Sequence, residues 1–188
     1  MNFTLSSGLN VVPLIEEDLK LKHFNKSPKK MSIKNTGHTV EIKADWNGKA
    51  PSCTGGPLHG NYVFEKATFH WAKKPTGFVF PIEWLDDLSK TLHKVQSPNS
   101  TAEIKPFPLL NDFDKDYSSF IFYEGSLDYP PCSESVTWFI VEVAYQVIDS
   151  VVKEFKKIKL AEGDVSNVRP MQPLNKRQVK YVGSHNSY

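Results

Sequence analysis

No stretch of this 188-residue chain approaches the ~18–20 consecutive apolar residues a membrane-spanning helix needs. The longest candidate, Val136 to Val143, is interrupted by Trp138 and closed by Glu142, so no membrane span is predicted. Cysteine is scarce. Cys53 and Cys132 are too few and too far apart for a disulfide scaffold or a paired-ligand structural zinc site, and at most one bridge can form. Charge of one sign is also missing: 23 Lys and Arg face 21 Asp and Glu, a net charge of +2. That leaves no basic footprint for phosphate backbones, and nucleic acid is not expected as a partner. Met1 to Glu16 has neither a positive start nor an apolar run before Glu16 and Glu17, so no signal peptide is expected. Internal repeats and low-complexity tracts are absent too.

What is present belongs to a globular chain. Hydrophobic residues make up 39% and aromatics 12%, enough to bury a core and to argue against intrinsic disorder. One domain over residues 1–188 is expected at this length. Met31-Ser32-Ile33-Lys34 and Thr39-Val40-Glu41-Ile42-Lys43 alternate polar and apolar residues around Asn35-Thr36-Gly37, which predicts two half-buried antiparallel strands. Tyr62 to Trp71, Phe120 to Tyr123 and Val136 to Val143 are aromatic and β-rich and read as buried sheet strands. Pro81 to Val95 places Ile82, Leu85, Leu88, Leu92 and Val95 at helical steps, with Pro81 suited to a first turn. Ile148 to Ile158 puts Ile148, Val151, Val152, Phe155 and Ile158 on one face and Lys153, Lys156 and Lys157 opposite, a solvated charge face. The fold class is therefore mainly β with a few surface helices (α+β).

Four blocks carry more specific information: Asn35-Thr36-Gly37-His38-Thr39; Gly55-Gly56-Pro57-Leu58 with Phe69-His70-Trp71; Tyr123 to Trp138; and Asn167 to Gln178. In order and spacing they resemble the α-carbonic anhydrases, over about residues 27–71 and 81–179. The resemblance implies a reduced form of that family's twisted, mostly antiparallel sheet. It also implies a zinc ion held by three histidines, two from a His-x-His pair on one strand and the third from the next, which lowers the pKa of its bound water to about 7 so that the resulting hydroxide attacks CO2.

The chain departs from that pattern at the chemistry. Where the family reads Phe-His-Phe-His-Trp, this chain reads Ala67-Thr68-Phe69-His70-Trp71, so Thr68 takes the first histidine's place and His70 keeps the second's. The family segment with the third histidine and the next strands is missing between 71 and 81. Asp128 stands where the family has the threonine that orients the zinc-bound hydroxide. Asp128 reads as a solvated turn residue, the alternative being a carboxylate that joins Thr68 and His70 around a metal. With one ligand of three, His70 reads as a hydrogen-bonded core histidine rather than a metal ligand. His38 falls on the proton-shuttle position, a role suited to imidazole but without purpose if no metal-bound water is present. Leu127 and Trp138 match residues lining the CO2 pocket. His23, His59, His93 and His185 lack the strand spacing of a metal site.

The expectation is a carbonic-anhydrase-related protein that is not catalytic, does not hold zinc specifically, and acts through a protein partner the sequence does not identify. The alternatives are a zinc enzyme hydrating CO2 to bicarbonate through an irregular site, or a truncated isoform of an active enzyme. Losing central strands would leave open sheet edges, so partial instability or self-association is expected. Cys132 sits where extracellular relatives carry half of a disulfide, and Asn2, Asn25 and Asn99 begin glycosylation sequons. Both point to secreted ancestry, while the compartment stays open.

Overall fold

The computed structural model describes residues 19–72, 83–110, 120–141 and 149–182. Its strands are β1 (Lys20–Lys22), β2 (Lys30–Asn35), β3 (Val40–Asp45), β4 (Ser52–Thr54), β5 (Tyr62–Val63), β6 (Ala67–Phe69), β7 (Thr101–Ile104), β8 (Phe120–Gly125), β9 (Val136–Val141) and β10 (Lys180–Val182). Two short helices, α1 (Glu83–Ser89) and α2 (Asp149–Phe155), and a 3-10 turn over Leu92–Val95 complete the described elements. No helix among the described residues is long and apolar enough to cross a membrane.

The β2–β3 hairpin forms where the alternation predicts it. Met31, Ile33, Val40 and Ile42 point inward and are buried, while Lys30, Lys34 and Lys43 face water. Ile33 stands directly opposite Ile42, so the inward faces of the two strands coincide, as a period of two requires. The connecting turn depends on Gly37, which adopts φ +89°; a Cβ there would lie 3.1 Å from the Ala161 Cβ. Its carbonyl accepts from the Ala161 amide at 2.8 Å, a close approach that favours glycine on both counts.

The strands fall into three antiparallel sheets, with orders β6-β3-β2-β7, β10-β8-β9 and β1-β4-β5. The main core lies on one face of the four-stranded sheet, where α1, the 3-10 turn and α2 bring Leu85, Leu88, Leu92, Val95, Val151 and Phe155 onto the hairpin. Trp71, Ile158 and Leu160 extend it. A second, small core forms on the β8 sheet from Phe120, Phe122 and Val182, with Leu19 and Phe139 half-buried against it.

Asn35 locks these layers together. It is fully buried, and its side-chain amide donates to the carbonyls of Val95 at 3.1 Å and Lys159 at 3.0 Å, while its Oδ1 accepts from the Gly37 amide at 2.8 Å. A buried amide is tolerated because its donors and acceptor all find partners.

Three expectations need correction. Tyr62 to Trp71 does not form one buried strand: β5 joins the sheet with β4, β6 joins the sheet with β3, and Tyr62 and Val63 are 56% and 59% exposed. The polar Glu65-Lys66 step carries the chain between the two sheets, with Lys66 anchored to Glu41 of β3 at 2.6 Å. The helix expected over 81–95 breaks after Ser89, because the Thr91 amide and hydroxyl both bond the Leu88 carbonyl, at 2.9 and 2.7 Å. This tightens the chain into a 3-10 turn, yet Leu85, Leu88, Leu92 and Val95 still share the buried side. Finally, β9 is half-exposed rather than buried, since among the described residues it borders the β8 sheet on one side only. Pro81, Ile82, Glu142, Val143 and Ile148 lie outside the described residues.

Candidate functional site

His70 immediately follows β6, whose short ladder with β3 pairs Phe69 with Val40 and Thr68 with Glu41. Alternation places Thr68 and His70 on the same side of the chain, and both are exposed. The His70 ring is held at both nitrogens. Nε2 lies 3.0 Å from Oδ2 of Asp128, with the two side chains 34% and 28% exposed, and Nδ1 lies 3.1 Å from the carbonyl oxygen of Asn167. A carbonyl and a carboxylate only accept, so each ring nitrogen faces an acceptor.

Asp128 lies half-exposed in the turn after β8, where the sequence placed it, and its carboxylate also meets the His70 ring. Its position is set by the β8–β9 connection. Gly125 is buried beneath the Trp138 indole, where a Cβ would stand 2.9 Å from Trp138 Cδ1. The Trp138 Nε1–H donates to the Ser126 carbonyl at 3.1 Å. Arg169 then clamps the loop, donating from one guanidinium nitrogen to Ser126 Oγ and to the Leu127 carbonyl, both at 2.9 Å. Leu127 and Trp138 are half-buried in this loop; Leu127 contributes its backbone and Trp138 its indole N–H.

Asn167 fixes its own segment to the β6 side of the site, two residues from the Arg169 that holds loop 126–128. Its Oδ1 accepts from the Trp71 amide at 2.8 Å, and its Nδ2 donates to the Phe69 carbonyl at 2.9 Å and to Thr39 Oγ1 at 3.2 Å. Thr39 Oγ1 itself donates to the Phe69 carbonyl at 2.8 Å. The block Asn167 to Gln178 was visible in the sequence, but the supporting roles of Asn167 and Arg169 were not. The available signal was a pair of strong hydrogen-bonding side chains two residues apart in a stretch with no regular period.

His38 occupies the exposed turn between β2 and β3, with its backbone amide directed at Thr36 Oγ1. Both cysteines are free and half-buried, and burial raises the Cys53 thiol above its ordinary pKa. Among the described residues, no three His, Cys, Asp or Glu side chains come together in a way that could hold a metal ion. The donors at this position, one histidine and one carboxylate beside a threonine, do not match a three-histidine zinc site.

The profile of the eukaryotic-type carbonic anhydrases matches residues 9–77 and 82–183. The chain belongs to this family. The match begins ahead of Ser27, where the resemblance first becomes legible by motif. Carbonic anhydrase 7 of Mus musculus is 27% identical over 211 residues, covering 85% of this chain and 80% of the relative. Putative carbonic anhydrase 3 of Caenorhabditis elegans is 25% identical, covering 80% and 76%. Carbonic anhydrase-related protein of Rattus norvegicus is 31% identical, covering 76% of this chain and 54% of the relative. The mostly antiparallel β architecture with few helices agrees with this membership. The carbonic anhydrase family is zinc-dependent in general.

Proposed function

We propose that this chain is a non-catalytic, carbonic-anhydrase-related protein that keeps the family scaffold and uses it to bind a protein partner. The observation that carries the reading is the His70 ring bonded at both nitrogens, to Asp128 and to the Asn167 carbonyl. A metal takes an unprotonated ring nitrogen, so coordination would have to displace Asp128 from Nε2 or the Asn167 carbonyl from Nδ1. Thr68, at the position of a first histidine, supplies no compensating nitrogen, and Asp128 replaces the hydroxyl that orients the nucleophile in the family's active members. On this reading His38 has no metal-bound water to serve, and Leu127 and Trp138 support the loop instead of a CO2 pocket. The likeness to a carbonic anhydrase-related protein, beside those to carbonic anhydrases, supports the family scaffold.

The test is CO2 hydration by the purified chain, with and without a sulfonamide. The reading expects no rate above the uncatalysed one; sulfonamide-sensitive hydration would overturn it. A second reading, a zinc enzyme with an irregular site, draws on the 3.0 Å approach of His70 Nε2 and Asp128 Oδ2, two donors that one ion could bridge. It requires a further ligand and predicts inhibitable hydration that is lost in both His70→Ala and Asp128→Ala.

A further inference from the structure

β9 is an outer strand of its sheet: among the described residues, β8 is the strand paired with it. Its sequence, Val136-Thr137-Trp138-Phe139-Ile140-Val141, contains no charge, proline or glycine. Those are the devices by which edge strands resist pairing with another chain. The strand is apolar on both faces. Phe139 leans on the small aromatic core, 5.5 Å from Phe120 and 6.1 Å from Phe122 between ring centroids, yet remains half-buried. Ile140, on the opposite face by alternation, is 46% exposed. An occupant of this edge must therefore bring apolar side chains to both faces and no charge.

We propose that the occupant is β9 of a second copy, paired antiparallel across a two-fold axis through Phe139 to give a continuous six-stranded sheet. Residues directly opposite in an antiparallel pair lie on the same face, so the axis must pass through a residue of the strand. Centred on Phe139, that residue meets its own copy and enlarges the aromatic core. On the other face Trp138 of each copy stands opposite Ile140 of the other and covers it. Centring on Trp138 instead would set Phe139 opposite Thr137, whose hydroxyl is already bonded to Glu124 at 2.9 Å, and would match less apolar surface. The interface is isologous, closes at two subunits, and places no like charges opposite one another. It goes beyond the non-catalytic reading and does not depend on it.

The test is sedimentation equilibrium of the full chain over roughly 1–100 µM, because a dimer forms by mass action. A mass of twice 21.3 kDa is expected at the upper end. Ile140→Lys puts a charge on an already exposed position and is expected to weaken dimerisation at least about tenfold. Val63→Lys, on the exposed strand β5, is expected to leave it unchanged. Amide hydrogen exchange on the unmodified chain gives a readout that does not depend on the variant folding, with β9 amides better protected at high concentration than at low. A monomer throughout, open-ended oligomers, a dimer lost in Val63→Lys but kept in Ile140→Lys, or β9 exchange that ignores concentration would each overturn the proposal.

Discussion

Replacing Asn167 by alanine tests how the site is held together. The side chain makes hydrogen bonds to the Trp71 amide, the Phe69 carbonyl and Thr39 Oγ1 at 2.8, 2.9 and 3.2 Å. Each is worth about 0.5–1.5 kcal/mol net, and a buried donor left without a partner costs about 1–3 kcal/mol. Trp71 is buried, so its amide is the group most penalised. Phe69 retains the Thr39 hydroxyl, which softens the loss there. The sum predicts destabilisation of about 2–4 kcal/mol, which for a chain of this size lowers Tm by roughly 5–15 °C. Gln172→Ala is the control, because that exposed side chain bonds the nearby Pro170 carbonyl at 3.0 Å and should cost under about 0.5 kcal/mol. Urea denaturation of both variants against the parent chain measures the difference. Equal midpoints for Asn167→Ala and Gln172→Ala would refute the view that Asn167 holds its segment against β6.

Two other substitutions probe the scaffold through pH. Asn35→Asp keeps the acceptor for the Gly37 amide but turns a donor aimed at the Val95 and Lys159 carbonyls into a carboxylate. Burial and those carbonyls disfavour its charge, so its folded pKa rises above the unfolded value of about 3.9 and stability should improve as pH falls toward that value; urea midpoints that do not move between neutral and acid pH would contradict this. Lys66 is held above its ordinary pKa of 10.5, first by its hydrogen bond to Glu41. A raised folded pKa contributes stability below the unfolded pKa that is lost as pH climbs through the folded one. Lys66→Met should therefore be less stable than the parent at neutral pH, with the gap in thermal midpoint closing above about pH 10.5; a gap that persists there would mean the loss is one of packing.

The β2–β3 hairpin was legible because one inward face repeats at a period of two and the Asn35-Thr36-Gly37 turn ends it. The buried side of 85–95 was legible because leucine and valine recur at helical steps. The break at Thr91 was not, because it depends on a hydroxyl choosing the Leu88 carbonyl, a local competition with the helix that periodicity does not register. The division into three sheets was hidden for a different reason: which strand pairs with which is a long-range choice, and Tyr62 to Phe69 reads the same whether it serves one sheet or two. At the site, the identities of Thr68, His70 and Asp128 were visible through the motif. The His70–Asp128 pair was not, and neither was Asn167, whose partner His70 lies 97 positions away. Only the folded chain brings them within hydrogen-bonding distance.

In the proposed function, the His70–Asp128 contact takes the place of the family's metal. Elemental analysis of zinc per chain, after purification without chelator and equilibration with excess zinc followed by desalting, tests it most directly. A chain with one histidine at that position, committed to Asp128, is expected to retain far less than about one zinc per chain. Retention of about one zinc per chain that disappears in His70→Ala would contradict the account, because it would show that His70 leaves Asp128 for a metal.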